Sequence, residues 1–232
     1  MKGLLQIGII ILCTTILMGC RNNLQPQSEN KYYNQIVHLL ETNPDSALQL
    51  FNSINEDSLS EAAFAQKCML AGKITDKLYQ AIIPTHHYER AHHWFSGHGT
   101  PQEQSLILLY LGRSYAEDGE YNHAMTTYTK GMNIAEKYSL FDISGLINSY
   151  MGDLYESKGM IELAIDKYKT AADLFLKDSN KKSYACALRD CGRSYARIDS
   201  IEKAINILLQ ADSISNEIDN PNVKASIANT IA

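Results

Sequence analysis

Five histidines crowd one stretch, Thr85-His86-His87-Tyr88-Glu89-Arg90-Ala91-His92-His93 with His98 beyond it. A helix that binds zinc places its imidazoles three or four residues apart so that they share a face. Here the separations are one, five, six and seven, and only His86 and His93 share a face, two turns apart. No carboxylate or thiol stands at a useful spacing, so a solvated helix face is expected and no metal. The second chemical feature is Arg189, Arg193 and Arg197, three guanidinium groups at four-residue spacing along one helical face. Planar guanidinium forks suit carboxylates. No Ser/His/Asp order can be proposed and no glycine-rich phosphate loop is present, so neither an enzyme nor a cofactor is expected.

The elements that must position these side chains announce themselves by recurrence. Leu108-x-x-Leu111-Gly112-x-x-Tyr115, followed by Ala124-x-x-x-Tyr128, returns forty residues later as Asn148-x-x-Met151-Gly152-x-x-Tyr155 with Ala164-x-x-x-Tyr168. It returns again as Leu188-x-x-Cys191-Gly192-x-x-Tyr195 with Ala204-x-x-x-Leu208. Glycine inside a helix costs roughly 1 kcal/mol against alanine, so Gly112, Gly152 and Gly192 imply close approach of a second helix. Ala124, Ala164 and Ala204 offer the small surface on that helix, and Tyr115, Tyr155 and Tyr195 are expected to fill the space beside them. A fixed period of this length means stacked helical hairpins.

These landmarks resemble the tetratricopeptide repeat, W-x2-L-G-x2-Y then A-x3-F then P, without its tryptophan and terminal proline and with a period of forty rather than about 34. The resemblance implies an all-α, right-handed solenoid of helical hairpins. The extra residues are expected to lengthen helices and loops.

The chain of 232 residues is 45% apolar, enough for a substantial core. Its net charge of -5 and the absence of a basic tail give no sign of a nucleic-acid partner. Residues 1–20 stand apart: Met1-Lys2, an apolar run from Gly3, then Leu17-Met18-Gly19-Cys20. This looks like a bacterial lipoprotein signal, which implies cleavage before Cys20 and acylation of that residue as a membrane anchor. The competing reading is an uncleaved helix, but about 17 apolar residues is at the short limit for spanning. Residues 21–30 read as a polar tether that reaches at most about 35 Å. A bacterial envelope location is expected, with the periplasmic side preferred and the choice of membrane open. Cys186 and Cys191 point to different faces of one helix and should not pair, and Cys191 reads as a small hydrophobe.

Residues 31–100 read as degenerate N-terminal repeats. Asn43 caps a helix opened by Pro44, and Gly72 falls forty residues before Gly112, but Thr75 and Pro84 replace the expected tyrosine and alanine. Residues 101–219 hold the three clear repeats, and 220–232 read as the first helix of an incomplete one. Ile227 and Ile231 would lack a following helix, so a continuation of the chain is expected, with docking on a partner as the alternative.

In the resembled family the first helix of each pair lines a concave groove. Carried over by register from the packing glycine, this implies a groove lined by Arg113, Glu117, Ser149, Asp153, Glu156, Arg189, Arg193 and Arg197. Two arrangements are open. In one, Asp153 stands between Arg113 and Arg193 in a salt-bridge ladder. In the other, the arginines face a carboxylate, an acidic peptide or an anionic sugar. The expected function is a membrane-anchored scaffold that binds a protein or peptide, in some longer relatives the sensory part of a regulator. The alternative is a glycan-binding lipoprotein of nutrient uptake.

Overall fold

The computed structural model describes residues 27–78 and 80–231, all of them in helices or short connections. Among the described residues eleven α-helices follow one another with no strand: α1 Gln27–Thr42, α2 Pro44–Asn52, α3 Glu61–Leu78, α4 Thr85–His98, α5 Pro101–Glu117 and α6 Tyr121–Lys137. They continue as α7 Phe141–Ser157, α8 Ile161–Lys177, α9 Lys181–Arg197, α10 Ile201–Asn216 and α11 Pro221–Ile231, and a 3-10 turn at Glu56–Ser58 precedes α3. The signal at 1–20 and residues 21–26 lie outside the described residues. Gln27–Asn30, expected in the tether, belong to α1 instead. Proline tolerates only the first helical turn, so a helix can begin directly after Pro26, and Gln27 and Glu29 are good helix formers.

The fold is a tetratricopeptide-like solenoid of hairpins, α5 with α6, α7 with α8, and α9 with α10, extended by α1 to α4 before them. Local signals set the helix boundaries. Asn43 accepts from the Ser46 amide at 3.1 Å, and Ser60 from Ala63 at 3.2 Å. Thr100 and Glu103 close a reciprocal capping box at the start of α5, with Pro101 in its first turn. Gly119 and Gly159 turn the chain between paired helices at φ +80° and +73°. Asp199 holds the equivalent left-handed position at φ +55° without being glycine, and Ser139 and Ser179 do so between pairs.

The core is continuous from Ile36 in α1 to Leu154 in α7, with further clusters around Phe175, Leu188 and Ile227 and around Ile165, Tyr168 and Cys191. The packing glycines meet a residue of the second helix, a tyrosine in two pairs and a leucine in the third. A Cβ on Gly112 would lie 2.5 Å from the Tyr128 ring, on Gly152 2.6 Å from Tyr168, and on Gly192 2.7 Å from Leu208. The space beside Ala124, Ala164 and Ala204 is therefore filled from one turn further along the same helix, because residues four apart share a face. Tyr115 and Tyr155 stay half-buried, and Tyr115 donates to Glu89 on α4 at 2.5 Å. Tyr195 is buried, in the cluster with Ala204. In the degenerate first repeat the partner of Gly72 is Tyr110, from the next repeat.

Candidate functional site: two charged networks on the first helices

Helices α3, α5, α7 and α9 are the first members of successive pairs, and their polar side chains gather into two networks. The first surrounds a cleft of about 370 Å³ between α3, α5, α6 and α7. Arg113 is its central cation and is only 7% exposed. Its guanidinium donates to Asp76, to the Tyr150 hydroxyl at 3.1 Å and to the Gly72 carbonyl at 3.3 Å, while Tyr150 donates to Asp76 at 2.9 Å. Burial alone would lower the Arg113 pKa, but Tyr150 and Asp76 outweigh it and hold the charge firmly in place.

Two carboxylates at the cleft are less well served. Glu117 lies 3.7 Å from the Arg113 Nε, and burial raises its pKa despite that neighbour. Asp153 accepts from the Tyr168 hydroxyl at 2.6 Å and has no ion pair among the described residues. Asp153 is exposed at the mouth of the cleft, yet the protein packed around its carboxyl still pushes it up to about 6, and Asp190 and Glu156 add to the rise.

The second network covers α9. Arg193 donates to Glu156 at 3.0 Å and pairs with Asp190 at 3.2 Å, and Arg197 reaches the other Glu156 oxygen at 2.9 Å. Arg189 clasps Asp190 at 2.8 and 3.0 Å and donates to Ser226 on α11 at 2.7 Å. Burial would raise the Glu156 pKa, but Arg193 and Arg197 hold it below the usual carboxylate range. Every guanidinium of the stripe therefore has a carboxylate.

The expected ladder through Asp153 does not form. Arg113 and Arg193, one residue past their glycines, reach back to Asp76 and Glu156, four residues past the glycines of the preceding repeats. A side chain in a helix leans toward its own N-terminus, and adjacent first helices are offset, so the partner is found at a shifted register. Of the eight groove residues, Arg113, Glu117 and Asp153 line the cleft. Glu156, Arg189, Arg193 and Arg197 form the second network, and Ser149 is half-buried and belongs to neither. Asp76, Tyr150, Tyr168 and Asp190 were missed. Extending the glycine register to Gly72 would have found Asp76, since it stands to Gly72 as Glu156 stands to Gly152.

The histidines of α4 do not converge. His87 approaches Glu56 at 3.8 Å, His98 stacks on Trp94 at 4.9 Å, and among the described residues no three His, Cys, Asp or Glu side chains gather as a metal site.

No family model matches the sequence, and no curated protein matches it. Solved structures do match in fold. The apo form of RapI superposes with a TM-score of 0.64 at 12% identity, over 88% of this chain and 81% of that one. A signal-transduction ATPase with a tetratricopeptide repeat sensor, from Pyrococcus horikoshii, gives 0.60 at 15% identity, over 87% of this chain and 35% of that one. The apo quorum sensor NprR from B. thuringiensis gives 0.52 at 13% identity, over 88% and 68%. At these identities the likeness is one of fold.

Proposed function

We propose that this chain is a lipid-anchored scaffold of a bacterial envelope that binds a polypeptide partner along the face of its first helices. One observation carries the reading. Successive first helices present a continuous set of charged and hydroxyl side chains over a rigid, well-packed core, and a cleft opens within that set. Rigid scaffolds with ordered polar groups bind with little reorganisation. Two neighbours in fold are named as sensors, which supports a sensory role within a longer regulator. The anchor rests on Leu17-Met18-Gly19-Cys20, and among the described residues no helix is long and apolar enough to cross a membrane.

A glycan platform needs open aromatic faces. Tyr128 is 1% exposed and the Tyr150 hydroxyl is bound to Arg113 and Asp76, so the aromatic side chains here are poorly placed for that task.

The test is photocrosslinking in intact cells with a benzophenone amino acid at Ala196, which is exposed at the register of Asp76 and Glu156. Capture of a polypeptide there, and none from Lys203 on α10, is the expected result. Capture from Lys203 alone would move the partner to the other face. Palmitate labelling should be present in the wild type and lost in Cys20→Ser.

A further inference from the structure

We propose that the cleft between α3, α5, α6 and α7 receives a cation, the ammonium or guanidinium of a lysine or arginine side chain or of a free amine. The inference rests on the polypeptide-binding reading and names what that face selects. Asp76, Glu117 and Asp153 line the cleft against the single guanidinium of Arg113. Arg113 is already committed to Asp76, Tyr150 and the Gly72 carbonyl, so it has little to offer an incoming acid. An anion would instead meet Glu117 and Asp153, both of which lack a well-formed ion pair. At this cleft the arrangement in which arginines face an acidic ligand is therefore the less favoured of the two.

Tyr128 supplies the independent sign of a ligand. Its side chain is 1% exposed and lines the cleft, and its hydroxyl has no hydrogen-bond partner among the described residues. The residue is buried but the hydroxyl itself keeps access to solvent, and a hydroxyl at the cleft without a protein partner gains from any polar group that enters. The Lys158 ammonium already rests 3.2 Å from the Tyr121 ring centre, so one wall of the cleft holds a cation in the chain as it stands. The raised carboxyls of Glu117 and Asp153 agree, because the loss of water around each outweighs the nearby arginine.

The test is calorimetric titration of the full chain in detergent at pH 7.5 with N-acetyl-arginine amide, its uncharged citrulline counterpart, N-acetyl-glutamate amide and spermidine. The arginine probe should bind about tenfold more tightly than citrulline, since one charge-assisted contact of about 1.4 kcal/mol corresponds to that ratio. The glutamate probe should not bind. Glu117→Gln with Asp153→Asn should erase the difference while leaving helicity unchanged. In the wild type the Asp153 carboxyl, followed by carbon NMR, should fall in pKa as the arginine probe is added, which tests the contact without any variant. Tighter binding of spermidine than of arginine, with the same dependence on the two carboxylates, would assign the cation to a free amine. Equal binding of arginine and citrulline, or an unmoved Asp153 pKa, would overturn the proposal. Partner capture at Ala196 is read separately, so failure here leaves the scaffold reading standing.

Discussion

Arg193 donates to Glu156 across 3.0 Å, and the two are thirty-seven residues apart, the separation that also joins Arg113 to Asp76. The same contact therefore recurs at two steps of the solenoid, with the arginine buried and the carboxylate partly open at one and the reverse at the other. Their difference in burial decides what each contributes. Arg113 is 9% exposed in its side chain, and Arg193 is 43% exposed.

Arg113→Met should destabilise the chain by about 2 kcal/mol, less than the 3–5 typical of a broken buried pair because the abandoned Asp76 stays partly solvated. Arg197→Met, at a half-exposed position, should cost no more than about 0.5 kcal/mol. Urea denaturation followed by helicity checks both. Equal losses would mean that burial does not separate the two contacts.

The turn positions make a prediction of opposite sign. Ser139, Ser179 and Asp199 hold left-handed backbone with side chains that resist it, whereas Gly119 and Gly159 hold it freely. Ser139→Gly, Ser179→Gly and Asp199→Gly should each stabilise by about 0.5–1 kcal/mol, and Gly119→Ala and Gly159→Ala should each destabilise by about 1 kcal/mol. Gly112→Ala should also destabilise, by about 1–3 kcal/mol, because its Cβ would strike the Tyr128 ring. A melting series of the six variants reads all of this, and a loss on Asp199→Gly would contradict it.

These turns and glycines explain why the hairpins were legible in the sequence. A missing side chain at a helix crossing has few substitutes, so Gly112, Gly152 and Gly192 recur visibly. What fills the crossing is freer. Tyr128, Tyr168 and Leu208 do the same task with different shapes, and Tyr115 looks like the filler in the sequence because it sits on the same helix as the glycine. The ion pairs were less legible still. They depend on the offset between neighbouring helices, which no single repeat encodes, and Asp76 lies in a repeat whose other landmarks, Thr75 and Pro84, have drifted. The stripe Arg189, Arg193 and Arg197 was visible, but the acids that neutralise it come from two helices.

The thiols should be silent in the native state. Burial pushes Cys68 up to about 12 and Cys191 up to about 11, and all three cysteines among the described residues are free. At pH 8 the thiolate, the reactive form, is scarce at both. A chromogenic disulfide reagent should therefore label Cys68 and Cys191 only after denaturation, with half-buried Cys186 reacting first. Rapid native labelling of Cys191 would mean that α9 and α10 do not cover it as the core packing requires.

Asp153 gives the pH dependence its sign. Although Asp153 is exposed, the protein packed around its carboxyl raises it from 3.8 to about 6, with Asp190 adding to the rise, so the folded chain keeps the proton after the unfolded chain has lost it. Stability from this group is complete below about pH 4 and is lost as the pH rises through about 6. Glu156 works the other way. Its pKa is lowered by Arg193 and Arg197, so its contribution is present above the unfolded value and lost on acidification. Asp153→Asn keeps an acceptor for the Tyr168 hydroxyl while removing the charge. It should melt higher than the wild type at pH 7.5 and match it at pH 4. A variant that melts lower at pH 7.5 would mean that the ionised carboxylate is stabilised in the fold, and that the surrounding protein supplies it with more positive charge than its neighbours account for.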